Sequence, residues 1–299
     1  MSALKRIFVA SDLSPRADRA LGRAAGLARI HGARLTALHV VESLREAVGV
    51  RGKPPAPTVS ELVAQAKTEA RSMFERRLRK PVAHIDVRTG KAFVEIVRQA
   101  RAARAELVVL GAHGRHFVRD LFLGTTAERV VRKGGRAVLV VKRPPGDSYR
   151  RVLVPVDFSA TARATLLLTA RLAPMARLIL LHAYEIPYEG RLRMAGATNE
   201  PIARLRRQHE RQARARLRAL VRELKLGARH PVCLVHHGYP SSVIDAAARA
   251  RRADLVALGT HGMSGLRYVL LGSVAERVLR EAPCDVLVVP PKAVRFTLP

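Results

Sequence analysis

Apolar runs of strand length alternate with helix-length stretches along the whole chain. In the first half the runs fall near residues 4–10, 33–41, 82–88, 106–111 and 136–142. In the second half they fall near 150–156, 176–184, 230–236, 254–259 and 285–290. Their hydrophobicity is continuous rather than alternating, as in ELVVLG (106–111) and DLVALG (254–259). That pattern marks strands buried on both faces. Strand–helix alternation then predicts a parallel sheet covered by helices and joined by right-handed crossovers. Ser14-Pro15 is a helix-start signal, and Gly32 is the matching stop.

The pattern repeats. IFVASDLS (7–14) matches VLVPVDFS (152–159), and LTALHVVE (35–42) matches LILLHAYE (178–185). TGKAFVEIVRQA (89–100) answers HGYPSSVIDAAA (237–248), and ELVVLGAHG (106–114) answers DLVALGTHG (254–262). Four blocks in one order, offset by 143 to 148 residues, indicate duplication. The Pro-Pro-Gly of residues 144–146 is a linker signal. Two domains are therefore expected, 1–146 and 147–299, each a five-stranded doubly wound α/β unit. The segments 43–60 and 186–200 break the pattern with Pro, Gly and charge, and read as surface loops ahead of long helices.

Composition narrows this. With 48% apolar residues in 299, a sizeable core is available to each half; at 4% aromatic and no Trp it must rest on Val, Leu, Ile and Ala. No run approaches the roughly 18 apolar residues of a membrane span. The opening MSALKRIFVASD is too short in its apolar run for a signal-peptide core. Cys233 and Cys284 form no CxxC pattern, which excludes a disulfide scaffold or a cysteine zinc site. Both read as buried small hydrophobes, and a cytoplasmic location is expected.

Charge adds a second theme. Lys and Arg number 54 against 24 Asp and Glu, a net charge of +30. A tail or a single basic stripe would point to nucleic acid, but the arginines are spread over most helices. The helix expected over 201–226 carries Arg204, Arg206, Arg207, Arg211, Arg214, Arg216 and Arg218, opposite Ile202, Leu205, Ala213, Leu217, Leu220, Val221 and Leu224. A solvated basic face is the simpler reading, and specific nucleic-acid binding is not expected.

The candidate chemistry lies after the fourth strand of each half. Gly111-Ala-His-Gly114 is followed after nine residues by Gly124-Thr125-Thr126, and Gly259-Thr-His-Gly262 after nine by Gly272-Ser273-Val274. In an open parallel sheet, ligands sit beyond the carboxyl ends of the strands where the order reverses. Glycines there let backbone N–H groups approach an anion, and the last Gly-Ser/Thr opens a helix with unpaired amides. A competing reading is a capping box, since Glu128 and Glu276 lie three residues beyond Thr125 and Ser273. Asp12 and Asp157 end the first strand of each half, beside the same crevice. His236-His237 sit on a strand end and point to opposite faces, so they do not share one metal ion.

These residues resemble the universal stress protein family in its tandem form, over nearly the whole chain. The likeness rests on the strand-end Asp, on His39-Val40 and His182-Ala183 after the second strand, and on Gly-x2-Gly-x9-Gly-[Ser/Thr]. The resemblance implies strand order 3-2-1-4-5 and, for members with the glycine signature, ATP binding, alone or with Mg, in stress response without defined catalytic turnover. By position it places ATP in the second domain against Pro155, Asp157, Ala183, Gly259, Gly262, Gly272, Ser273 and Val274. The matching positions of the first domain are Ala10, Asp12, Val40, Gly111, Gly114, Gly124, Thr125 and Thr126. The first domain departs in having Ala10 for the proline, and Arg115-His116-Phe117 where the second has Met263-Ser264-Gly265. The second domain is thus the favoured site. No catalytic residue and no metal ligand is assigned. The fifth strands, as apolar sheet edges, suggest an internal pseudo-dimer of the two halves, with assembly between chains left open. Two alternatives remain at this level: a basic protein associated with nucleic acid, and a weak ATPase of the adenine-nucleotide α/β group.

Overall fold

The computed structural model describes residues 2–15, 17–41, 59–78, 83–112, 124–146, 148–186, 189, 199–260 and 271–291. The chain forms two compact units that divide between Ser148 and Tyr149. The first contains β1 (Arg6–Ala10), α1 (Ala17–His31), β2 (Arg34–Val41), α2 (Val59–Leu78), β3 (Ala83–Thr89) and α3 (Ala92–Ala102). It is completed by β4 (Leu107–Gly111), α4 (Thr125–Lys133) and β5 (Ala137–Val141). The second contains β6 (Arg151–Pro155), α5 (Ala160–Leu172), β7 (Arg177–Tyr184), α6 (Asn199–Glu223) and β8 (Val232–His237). Then follow α7 (Pro240–Ala250), β9 (Leu255–Gly259), α8 (Ser273–Glu281) and β10 (Asp285–Val289).

Within the first unit the strands pair in the order β3-β2-β1-β4-β5, all parallel. The second repeats this as β8-β7-β6-β9-β10. The predicted doubly wound order is therefore present twice. Because both sheet faces are covered, strand residues are buried on either side of the pleat: β5 and β10 are buried at every position. Phe8, Leu107 and Leu139 anchor the first core, and Leu153, Leu166 and Leu172 the second. Few rings are needed, since branched aliphatic side chains fill the space between the pleat and alanine-rich helices.

Duplication extends to individual hydrogen bonds. At the amino end of β1, Glu106 Oε2 accepts from the N–H groups of Lys5 (2.7 Å) and Arg6 (3.2 Å), and Arg6 Nε donates to Arg104 O (2.7 Å). At β6, Asp254 Oδ2 accepts from Arg150 N (2.7 Å) and Arg151 N (3.2 Å), and Arg151 Nε donates to Arg252 O (2.8 Å). These clips fix the register of the first strand of each unit against the fourth. The segment expected to be a linker is strapped onto α1. Arg19 donates to Lys142 O (2.9 Å) and Arg23 to Gly146 O (3.1 Å), while a Cβ at Gly22 would stand 2.8 Å from Pro145.

Candidate functional site

Both sheets open at the carboxyl ends of their first and fourth strands. The β1–β4 pairing ends at Val9 and Val109, although β1 pairs with β2 through Ala10 and β4 with β5 through Gly111. In the second unit the gap opens one residue pair earlier. The β6–β9 ladder ends at Leu153 and Val256, while β6 continues with β7 to Pro155 and β9 with β10 to Gly259. The sequence supplies the reason. Val156 N–H donates to Leu181 O on β7 (2.8 Å), so by alternation the position before it faces β9. That position is Pro155, which has no N–H to donate. Its counterpart Ala10 retains one, and the first unit keeps the extra pair.

A turn of fixed form follows the first strand in each unit. Asp157 Oδ1 accepts from Ser159 N–H (3.0 Å), Phe158 adopts φ 65°, and Ser159 Oγ caps α5 by accepting from Ala162 N–H (3.1 Å). The first unit repeats this with Asp12 accepting from Ser14 N–H (3.0 Å), Leu13 at φ 61° and Ser14 Oγ accepting from Ala17 N–H (3.2 Å). A left-handed turn at a non-glycine residue costs free energy that the aspartate and serine bonds offset. A histidine braces each turn from the second strand. His182 Nδ1 donates to Val156 O (2.7 Å) and His39 Nδ1 to Ser11 O (2.9 Å). The carbonyl can only accept, which leaves Nε2 of each ring as its acceptor when the ring is neutral.

On the opposite side of the crevice stands a bare helix entrance. Gly272 N–H donates to Thr260 O (2.9 Å) and Gly124 N–H to Ala112 O (2.8 Å), which brings the start of α8 to the end of β9 and the start of α4 to the end of β4. The cap position of each helix is the glycine itself, at φ −61° and −60°, with no side-chain cap bond. The capping-box reading is therefore corrected. Thr125 and Ser273 stand at the first helical position, Glu128 N–H makes an ordinary helical bond to Gly124 O (3.0 Å), and the Glu128 carboxylate pairs with Arg132 (2.8 Å). Those dihedrals suit any residue, so backbone strain does not explain the glycine. Its consequence is an entrance without a side chain, where first-turn amides and the helix dipole face outward.

The second unit thus gathers Pro155, Asp157, Ala183, Gly259, Gly272, Ser273 and Val274 at one sheet end, and the first gathers Ala10, Asp12, Val40, Gly111, Gly124, Thr125 and Thr126. Gly114 and Gly262, with the Arg115–Phe117 and Met263–Gly265 segments, lie outside the described residues. Among the described residues no three His, Cys, Asp or Glu side chains cluster to hold a metal. His237 pairs with Glu189 (2.9 Å), and His236 is exposed. Cys284 is buried as expected, whereas Cys233 is only half-buried; burial still pushes its thiol pKa up.

Sequence reasoning missed a wall beside Asp157. The Phe158 ring lies 4.7 Å from His182 and carries the Arg216 guanidinium 4.0 Å above its centroid. Burial lowers the His182 pKa below its ordinary value, and Arg216 and His209 push the same way; the bond to Val156 O and the Asp157 charge oppose them. The first unit has Leu13 where this wall has Phe158.

Two doubly wound units, each with an aspartate turn after its first strand and a glycine-capped helix after its fourth, define a tandem doubly wound α/β protein. Residues 3–142 and 148–290 each match the universal stress protein family, and the chain belongs to it. It is 26% identical over 312 residues to a universal stress protein of Mycolicibacterium smegmatis, covering 96% of this chain and 97% of that protein. A universal stress protein of Methanocaldococcus jannaschii is 52% identical over 52 residues, 17% of this chain and only 31% of that relative's length. The fold resembles a crystal structure of a universal stress protein from Archaeoglobus fulgidus, with TM-score 0.66 and 18% identity over 95% of this chain and 98% of that one. Among the described residues no helix is long and apolar enough to cross a membrane.

Proposed function

We propose that the chain binds ATP in the crevice of its second unit and acts in the cytoplasm as a nucleotide-responsive stress protein rather than as an enzyme. The observation that carries this reading is the glycine cap of α8, an uncapped helix entrance facing Asp157 across strands parted at Pro155. Phosphates suit that entrance because several N–H donors converge there without a competing side chain. Asp157 keeps one carboxylate oxygen for a ribose hydroxyl while the other holds the turn. A single carboxylate suits Mg only in the company of phosphate oxygens and water, so any bound Mg is held mainly by the nucleotide. The first unit has the same turn and helix entrance, and binds more weakly because its crevice is closed by one further pair.

Calorimetric titration with ATP, with and without Mg, tests this. The expected result is one tight site per chain, lost in Gly272→Glu and retained in Gly124→Glu. Equal affinity and stoichiometry in the Gly272→Glu protein would overturn the assignment.

A further inference from the structure

The basic charge is not evenly dispersed. On α6, Arg206 and Arg216 are engaged by the unit itself: Arg206 pairs with Glu189, and Arg216, though exposed, stacks on Phe158. Ile202, Ala213, Leu217 and Leu220 are buried against the unit, while Leu205, expected with them, is exposed. The remaining arginines, Arg204, Arg207, Arg211, Arg214, Arg218 and Arg222, are all exposed. Their spacing of three or four residues places them within about 80° of the helix circumference and along about 27 Å of its axis. Among the described residues only Arg207 of the six has an acidic partner, Glu200 at 3.0 Å, and that pair is exposed. An exposed pair of this kind is weak and screened by salt.

The counterpart helix of the first unit is built differently. On α2, Glu61, Glu69 and Glu75 are interspersed with Lys67, Arg71, Arg76 and Arg77. In the same place in the fold, α2 mixes three Glu with four Lys and Arg, where α6 sets eight Arg against three Glu. The stripe on α6 is therefore not a requirement of the fold.

We infer that the α6 arginine stripe is a docking surface for the phosphate backbone of a nucleic-acid duplex, bound without sequence preference and separately from the nucleotide crevice. Charge complementarity commits the surface to this occupant. A narrow line of guanidinium forks matches a line of phosphates, each fork pairing with two oxygens. A membrane surface fits less well, because the apolar face of α6 is buried in the unit and has nothing to insert between lipids. At about 3.4 Å of axis per phosphate on each strand, a stripe of about 27 Å reaches phosphates of both strands that border a groove of a B-form duplex.

Fluorescence anisotropy of the full chain with a labelled random-sequence 20-base-pair DNA duplex tests this between 50 and 200 mM salt. With about five phosphates neutralised, affinity should fall about 500-fold across that range. In R207Q/R211Q/R214Q/R218Q, which keeps Arg204 and Arg222, the fall should shrink to about 12-fold. R29Q/R34Q/R71Q/R76Q removes the same net charge from exposed positions of the first unit and should keep the steep dependence. The corresponding four-lysine variant of the stripe should also keep it, which separates lost charge from lost folding. Equal loss in the two glutamine variants, or loss in the lysine variant, would overturn the inference. So would stripe-dependent binding to phosphatidylserine vesicles with duplex binding unaffected by the stripe.

Discussion

The two units share backbone geometry down to single hydrogen bonds, yet they solve two local problems with different side chains. At the start of the first strand the first unit buries Leu4, and its β5 begins at Ala137. At the same places the second has Tyr149, which donates from its hydroxyl to Asp285 Oδ2 (2.7 Å), both residues buried. At the other end of the sheet, the Val9–Val109 pair that precedes Ala10 has no counterpart before Pro155. The difference separates what the fold demands from what one copy uses. The Asp-turn, serine cap and histidine brace recur and belong to the fold's strand-to-helix corner. Pro155, Phe158 and Arg216 occur once, and they cluster at the favoured crevice.

The comparison breaks most severely at the helix entrance. Gly272→Glu puts a carboxylate where phosphates are proposed to sit, and ATP affinity should drop by about 100-fold or more, equivalent to about 2.7 kcal/mol. Gly124→Glu should change total ATP binding far less, as calorimetry will read directly.

Next in size is the buried pair. Tyr149→Phe withdraws a hydrogen bond from the buried Asp285 carboxyl and should destabilise the second unit by about 1–3 kcal/mol. The double change Tyr149→Leu with Asp285→Ala copies the first unit and should recover most of that loss, measured by urea unfolding. Failure of the double variant to recover would mean that the two solutions are not interchangeable.

A smaller effect is expected at the ladder. Pro155→Ala restores an N–H toward β9, should add the missing pair and should weaken ATP binding by about threefold, about 0.65 kcal/mol. Ala10→Pro should part β1 from β4 and cost the first unit about 1 kcal/mol through the lost bond. Amide exchange near Val109 and Ala257 would register both changes.

Much of this was legible in the amino-acid pattern. Continuous apolar runs identified β4, β5, β9 and β10, because strands buried on both faces leave no room for polar alternation, whereas β3 (AHIDVRT) alternates as a half-exposed strand does. The glycine spacing located the helix entrances at Gly124 and Gly272. What the spacing could not reveal was which residue occupies the cap. Ser/Thr followed by Glu satisfies the capping-box pattern, and only the backbone places Gly one position earlier as the cap. Periodicity likewise found the arginines of α6 but not that Arg206 and Arg216 engage Glu189 and Phe158, partners that come from elsewhere in the chain.

The smallest expected effect is a pH dependence at His182 of the second unit. His182 has a lowered pKa in the folded state, so below about pH 6.5 the unfolded chain takes up the proton first. The contribution of neutral His182 to stability is therefore present above that pH and lost as pH falls toward the folded value. Phe158, Arg216, Asp157 and His209 all act on this ring. Between about pH 7.5 and 5.5 the melting temperature should fall less in His182→Phe than in the parent.

The central claim, a nucleotide site in the second unit, is tested most directly by mass spectrometry of the small molecules released when freshly purified protein is denatured. Parent protein should release an adenine nucleotide at about one per chain, and Gly272→Glu protein should release little or none. Release of no nucleotide from the parent, together with no heat on adding ATP, would contradict the account, as would undiminished release from Gly272→Glu.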